Sequence, residues 1–560
     1  MELDDACVRA PATQLRGGGG GLASGGRVSP RLIGLALACA TTLLVLVNGS
    51  DIGLARDEIV YMQNGDRYAD WWIDLARHGA TLGRATAKGE LQGIERTFGG
   101  PNPTDNNREH PPLMKTLYGL SHRLLHGVFG VDEVRAYRAP AAVLHGLLVL
   151  LVYAMVLELW GLAEAVVSAL LLVFLPRALF HAGLAAFDAP IMALWFLAVY
   201  AYWRCLDGRR WPWQAGVAFG LALATKHNAV LLPFAFGLHH AIVGIRARGL
   251  AGIIAYRWRV IVSLAVLGPL VLIALWPWLW LSPITHAREW IAFHTSHVHY
   301  NFEYLGRNWN APPFPWHVAL VTTAFTVPVA TLAAAALGAW RWLADRARLG
   351  DARAPTLLLV LSAGASLGPF FLGSTPIFGA EKHWMPALPS IAIAAGVGTV
   401  WAARRLGGAR RAAVAGVCAV VIGAAAVETV IAQPHALTWY NALAGGAPGG
   451  ADLGMNRQFW GIAARGALPF LADQPPGAVY SHDASPAWGF YQKRGDVAPS
   501  MPDAGHEVAG IAASKYALVI HELHFNRHDY LIWKAYGTVQ PIYVLRAHGV
   551  PIVSVYARKR

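Results

Sequence analysis

Charge is scarce in this chain. Asp, Glu, Lys and Arg together make up 14% of its 560 residues, against 55% hydrophobic residues and 22 tryptophans. So little charge excludes a string of soluble domains, and the mean hydropathy of +0.39 agrees. Repeated apolar runs approach or exceed the roughly 20 residues that cross a bilayer, so the composition is that of a polytopic membrane protein. Cysteine is almost missing. The four present, Cys7, Cys39, Cys205 and Cys418, lie in the N-terminal tail or in apolar runs without a pairing pattern. A disulfide framework or a thiolate metal site is thereby excluded. A signal-peptide layout is absent too: the first 30 residues, with Gly17 to Gly21 and Gly25-Gly26, lack its charge order and cleavage site. Leu32 to Val47 is expected to stay as an anchor behind a disordered cytoplasmic tail over 1–30.

The net charge of +13 would suit a nucleic-acid partner, but most arginines occupy short gaps between apolar runs. The positive-inside rule accounts for them, and no nucleic acid is needed. The spans expected are Leu32 to Val47, Tyr137 to Leu159, Ala163 to Pro176, Ile191 to Tyr202, Trp213 to Ala224, Val230 to Ile245, Val260 to Leu281, His317 to Trp340, Thr356 to Leu372, Trp384 to Trp401 and Ala412 to Ala432. That is about eleven transmembrane helices. With the N-terminus in the cytoplasm of a bacterial inner membrane, the gaps holding Arg209-Arg210, then Arg246, Arg248, Arg257 and Arg259, then Arg341, Arg346, Arg348 and Arg353, then Arg404, Arg405, Arg410 and Arg411 all fall inside.

The remaining polar residues then gather on the opposite face. They are the stretch from Asp51 to Arg138, a turn with Arg177, His181 and Asp188, the pair Lys226-His227, the loop from Ser282 to Trp316, and Glu381-Lys382-His383. A lone interfacial Lys, Arg or His can simply snorkel to headgroups, but ionisable groups clustered at one membrane depth mark a site. Within the first stretch, Asp57-Glu58 is an acidic pair of the kind that removes a proton from an acceptor, and Arg108 to Lys115 is a cationic cluster of the kind that holds a phosphate. Tyr68 to Arg77 and Leu113 to Phe129 read as helices lying in the interface. The fold class expected is an all-α polytopic membrane protein. Its membrane domain covers 31–432, with a large outer loop over 49–136, and a small α/β or α+β soluble domain on the outer side covers 433–560.

Taken in order, these residues resemble a known family. Asp57-Glu58, His110-Pro111-Pro112-Leu113-Met114-Lys115, Arg138, Asp188-Ala189-Pro190, Ala224-Thr225-Lys226 and Glu381-Lys382-His383-Trp384-Met385-Pro386-Ala387-Leu388-Pro389 follow the order of the protein O-mannosyltransferase superfamily. That superfamily also includes the bacterial aminoarabinose transferases that modify lipid A. Trp439 to Gly446 and Phe459-Trp460-Gly461 look like bacterial members with an outer soluble extension.

The resemblance implies a GT-C glycosyltransferase that moves a sugar from a polyprenyl-phosphate donor to a protein or glycolipid acceptor, lipid A among them, on the outer face. Topology points the same way, because an outward-facing transferase needs a donor delivered through the membrane lipids rather than a nucleotide sugar. By resemblance Asp57 deprotonates the acceptor, with Glu58 orienting it or the acceptor. Arg138, Lys115, Lys226 and Lys382 are candidates to neutralise the leaving phosphate. His110 either donates to that phosphate or locks its loop. Asp188 is read either as a carboxylate holding Arg138, Arg177 or a metal, or as a helix N-cap before Pro190. Glu381 with Lys382 either lines the donor site or forms an interfacial ion pair, with His383 beside them. The family often has Arg followed by Tyr where Lys382-His383 stands, which puts bidentate phosphate holding in doubt there.

Other motifs carry less. His294, His297 and His299, with His286 upstream, could bind a divalent metal, but loop histidines at such spacing more often hydrogen-bond, and no metal ligand is assigned. His521-Glu522-Leu523-His524 has its second His one position too early for a zinc-protease motif. The rival from another class is a transporter or flippase of a lipid-linked sugar. It fits less well, since the polar groups gather at one face and no inverted repeat is evident.

Overall fold

The computed structural model describes residues 29–85, 93–99, 107–209, 211–296, 299–344 and 353–559. The tail over 1–28 with Cys7, and Arg210, His297, Arg346 and Arg348, lie outside the described residues.

Among the described residues six helices are long and apolar enough to cross a membrane: Pro30–Gly49, Glu133–Leu159, His227–Ala255, Trp258–Leu275, Met385–Gly407 and Arg411–Ala432. Leu162–Val173 and Pro176–Ala182, bent by 70°, make a seventh if they form one span. The sequence reading expects about eleven. Proline explains part of the difference, because it cannot donate to the preceding turn and keeps the residue before it out of the helical region. The apolar run over 163–176 breaks before Pro176, that over 260–281 before Pro277, and that over 317–340 around Pro328. Trp213–Leu223, Val329–Ala344 and Pro355–Phe371 are apolar but shorter than the other spans.

In the first loop, one 30-residue helix, Arg56–Ala85, contains both Asp57 and Glu58 in its first turn. It packs along Leu113–Ser121, the helix that the His110-Pro111-Pro112 turn leads into. The two backbones meet at glycines. A Cβ on Gly119 would run into the Gly65 carbonyl oxygen, and one on Gly65 into the Lys115 carbonyl oxygen. The expected interfacial helix over 68–77 is thus the middle of a longer one, whose start is fixed by the acidic pair.

The loop over 282–316 carries the helix Pro283–Thr295 and a hairpin of β1 (Phe302–Tyr304) with β2 (Arg307–Trp309). C-terminal to the last span is a sheet of four strands: β3 (Val479–Tyr480), β4 (Tyr516–Ile520), β5 (Tyr543–Ala547) and β6 (Val550–Ala557). Their order is β3-β4-β6-β5, with β3 parallel to β4 and the other pairs antiparallel. Leu518 and Val553 of this sheet share one buried cluster with Ile52, Leu54 and Ile59 of the first loop. Sheet and loop therefore meet through a common apolar core, which presses the start of the Asp57 helix between the bundle and the C-terminal part.

Candidate functional site

A cavity of about 470 Å³ opens where the first loop, the bundle end and the C-terminal part meet. Asp57 lines it and Glu58 does not. The reason is local. Ala55 is the residue before the helix, and Glu58, three positions on, turns its Oε2 back to accept the Ala55 N–H at 2.9 Å. This is half of a capping box, and it points Glu58 away from the side that Asp57 faces. Negative charge at a helix N-terminus is favoured by the exposed N–H groups there, so the pair also has a structural cause.

Glu58 is fully buried and its carboxylate takes a bidentate grip from Arg138, at 2.8 Å to Nε and 2.7 Å to Nη2. It also accepts the Ala185 N–H at 2.7 Å. The other guanidinium hydrogens go to the carbonyls of Gly49, Ile52 and Gly53. All five N–H donors of Arg138 are thus spent on the chain itself. Arg138, expected on the donor phosphate, instead ties the turn over 49–58 to the bundle.

Lys115 is placed in a similar way. Its three ammonium hydrogens meet Asn107 O, Asn107 Oδ1 and His110 O at 2.6, 3.1 and 3.0 Å. It is fully buried and does not line the cavity, so it holds the His110 loop rather than reaching out of it. Burial pushes its ammonium down to about 7, partly offset by the nearby Glu109. His110 does line the cavity, in edge contact with Tyr61.

Arg177 and Glu381 form a buried pair at 2.6 Å, away from the cavity lining. Arg177 also reaches the carbonyls of Leu437 and Trp439. The Glu381 partner is therefore Arg177, not the adjacent Lys382. Asp188 holds neither Arg138 nor Arg177 and caps no helix; it pairs with Lys226 at 2.6 Å, both lining the cavity. His383 lines the cavity as well, with its Nε2 2.6 Å from Phe378 O.

Lys382 differs from these cations. Its ammonium lies 4.0 Å from the centre of the Trp460 ring and 4.7 Å from that of Phe378, with no hydrogen-bond acceptor or carboxylate in contact among the described residues. Burial lowers it to about 8, while Asp188 and Asp57 are near enough to pull it upward. Trp460 and Gly461 both sit in the left-handed region, φ 70° and 74°. This sharp turn aims the indole at Lys382 and the Trp460 carbonyl at the Arg56 N–H, 3.0 Å away. A side-chain-bearing residue rarely adopts that conformation, and such strain collects at functional sites.

Several cavity residues escape the sequence reading. Arg56 stands between two carboxylates, 3.4 Å from Asp57 and 3.0 Å from Asp483 of the C-terminal part. Glu522 and His524, from the discarded protease-like motif, also line the cavity. Burial, with Asp483 and Glu303 nearby, holds the Glu522 carboxyl well above its ordinary range. The only signal of these residues in the sequence is that the motif is polar within a β-rich segment. Of the loop histidines, His286 stacks on Trp278 and hydrogen-bonds its carbonyl, whereas His294 comes together with His110 and His227. One ring nitrogen from each of these three lies within 4.8 Å of the others, so among the described residues these three could hold a metal ion.

Residues 109–273 match the family model of dolichyl-phosphate-mannose-protein mannosyltransferases. No curated protein sequence matches the chain. Among solved structures, ArnT from Cupriavidus metallidurans bound to undecaprenyl phosphate is 16% identical, with 94% of this chain and 97% of that chain covered and a TM-score of 0.48. The oligosaccharyltransferase of Archaeoglobus fulgidus in its apo form is 11% identical over 92% and 72% of the two chains, with a TM-score of 0.48. AglB of the same archaeon, in complex with an inhibitory peptide and a dolichol-phosphate, is 12% identical over 91% and 71%, with a TM-score of 0.44.

Proposed function

We propose that this chain, whose residues 109–273 match the family model of dolichyl-phosphate-mannose-protein mannosyltransferases, is a GT-C glycosyltransferase that transfers a sugar from a polyprenyl-phosphate carrier to an acceptor at the membrane surface where the cavity opens. The observation that carries this reading is the pairing of opposite groups across one cavity. Asp57 has a partly exposed side chain, 29% accessible, and Lys382 is an ammonium without an acceptor of its own among the described residues.

The chemistry follows from the two. Asp57 takes the proton of an acceptor hydroxyl or amine as that atom attacks the anomeric carbon. The bond from that carbon to the phosphate oxygen breaks, and the charge developing on the departing polyprenyl phosphate falls to Lys382, with Lys226 beside it. Arg138 and Lys115 serve by fixing the segments that carry Asp57 and His110. The acceptor enters between the first loop and the C-terminal part, on the side assigned here to the outside of a bacterial inner membrane. Protein, glycolipid and lipid A all remain candidate acceptors.

Purified protein in vesicles, given a polyprenyl-phosphate carrying a labelled hexose or aminopentose and an envelope extract, tests the reading. Mass spectrometry should find the label joined to an acceptor by a new glycosidic bond. Label that crosses the bilayer still attached to its carrier, with no new bond, would contradict it.

A further inference from the structure

Two helices run from the cavity to the other end of the bundle. Asp188–Cys205 begins at the cavity-lining Asp188, and Leu232–Arg248 follows directly on the cavity-lining Leu231. At 1.5 Å per residue each is roughly 26 Å long, close to the apolar thickness of a bilayer. Their far ends, with the start of Trp258–Leu275, enclose a second hollow of about 570 Å³. Arg209, Arg248, Arg257 and Arg259 line it, together with Trp211 and Trp258.

Among the described residues no Asp or Glu lines this hollow, and none of the four guanidiniums has a side-chain carboxylate partner. The Arg257 and Arg259 guanidiniums lie 5.8 Å from the ring centres of Tyr256 and Trp258 respectively. Arg257 also adopts a left-handed backbone, φ 44°, and lays its guanidinium in the space over Gly208, where a Cβ would collide with it. The positive-inside rule explains why arginines stand at this end of the bundle. It does not explain why four of them converge on one hollow, beside which the Asp207 carboxylate accepts the Arg209 backbone N–H at 2.8 Å; an anion seated there would meet all four guanidiniums.

Trp211 and Trp258, 77% and 52% exposed, decide which anion fits. Exposed tryptophans beside the ends of apolar helices sit at headgroup level, and a soluble anion would gain nothing from them. We propose that this hollow is a binding site for the phosphate headgroup of an anionic phospholipid, whose chains run along the exposed Val262, Val266 and Leu270 of Trp258–Leu275. The site lies a bilayer's thickness from the cavity and does not depend on the reaction proposed there.

Native mass spectrometry of the full chain, released from nanodiscs of phosphatidylglycerol or of phosphatidylcholine, provides the test. The expected result is a retained phosphatidylglycerol and no retained phosphatidylcholine. Retention should fall roughly tenfold in the double variant R248Q/R259Q, which alters exposed side chains only, and stay unchanged in R411Q outside the hollow. Equal retention of the two lipids, or equal retention by wild type and R248Q/R259Q, would overturn the proposal. So would complete displacement of the lipid by millimolar inorganic phosphate, which would make this a site for a soluble anion.

Discussion

The Lys382 ammonium rests 4.0 Å from the centre of the Trp460 ring, beside a cavity that Asp57 also lines. A cation over an indole face is held without being neutralised, so it stays available to an arriving phosphate. Its charge depends on pH. Burial lowers Lys382 to about 8, so the ammonium is present below that pH and lost above it. Binding of a polyprenyl phosphate, measured by fluorescence titration, should weaken as pH rises through about 8 in the wild type. Lys382→Arg should keep its affinity to higher pH, because guanidinium does not titrate there. Stability should move the other way: between pH 8 and the ordinary lysine range the unfolded chain binds the extra proton, so folding gains as pH rises.

Arg138 and Glu58 should matter for folding before they matter for chemistry. Both side chains are buried, at 4% and 0% exposure, and removing one leaves a buried charge unpaired. Arg138→Ala should cost about 3–5 kcal/mol, visible as a lowered melting temperature in detergent. If Arg138 bound the donor phosphate instead, the melting temperature would hold and the KM for donor would rise.

Asp483 should act on the reaction from the C-terminal part. It holds Arg56 at 3.0 Å, while Asp57 is a looser 3.4 Å from the same guanidinium. In Asp483→Asn, Arg56 is freed to draw the Asp57 carboxylate away from the acceptor. We expect kcat to drop by roughly 10-fold to 100-fold with donor affinity preserved, a displacement effect at the reacting group. An unchanged kcat would remove the C-terminal part from the reaction.

The crossing of Arg56–Ala85 with Leu113–Ser121 should tolerate no side chain at Gly119. Gly119→Ala must push the two backbones apart, at a cost of about 1–3 kcal/mol in melting experiments. Because Lys115 holds the His110 loop from that helix, donor binding should weaken in the same variant. Gly130→Ala, where nothing lies within 4 Å, serves as the comparison, with its positive φ of 67° adding only local strain.

The sequence order of charged motifs picks out segments that meet at one cavity, but not the direction of each side chain. Asp57 and Glu58 are neighbours, yet a capping bond to Ala55 separates a cavity residue from a buried one. Glu381 and Lys382 part in the same manner, since Arg177, 204 positions away, claims the first. Such partners arrive through tertiary packing and leave no local pattern. Asp483 belongs to no motif, and the motif that contains Glu522 gives no hint of the cavity, for a related reason: their place depends on the four-stranded sheet docking on the first loop. The spans were readable as apolar runs, while their lengths were cut at Pro176, Pro277 and Pro328.

The most direct measurement is sugar transfer by Asp57→Asn beside wild type, in vesicles supplied with labelled polyprenyl-phosphate sugar and a competent acceptor. The account predicts a loss of about 10²-fold to 10⁴-fold in kcat, with polyprenyl-phosphate binding and melting temperature unchanged. Transfer at the wild-type rate by Asp57→Asn would contradict it.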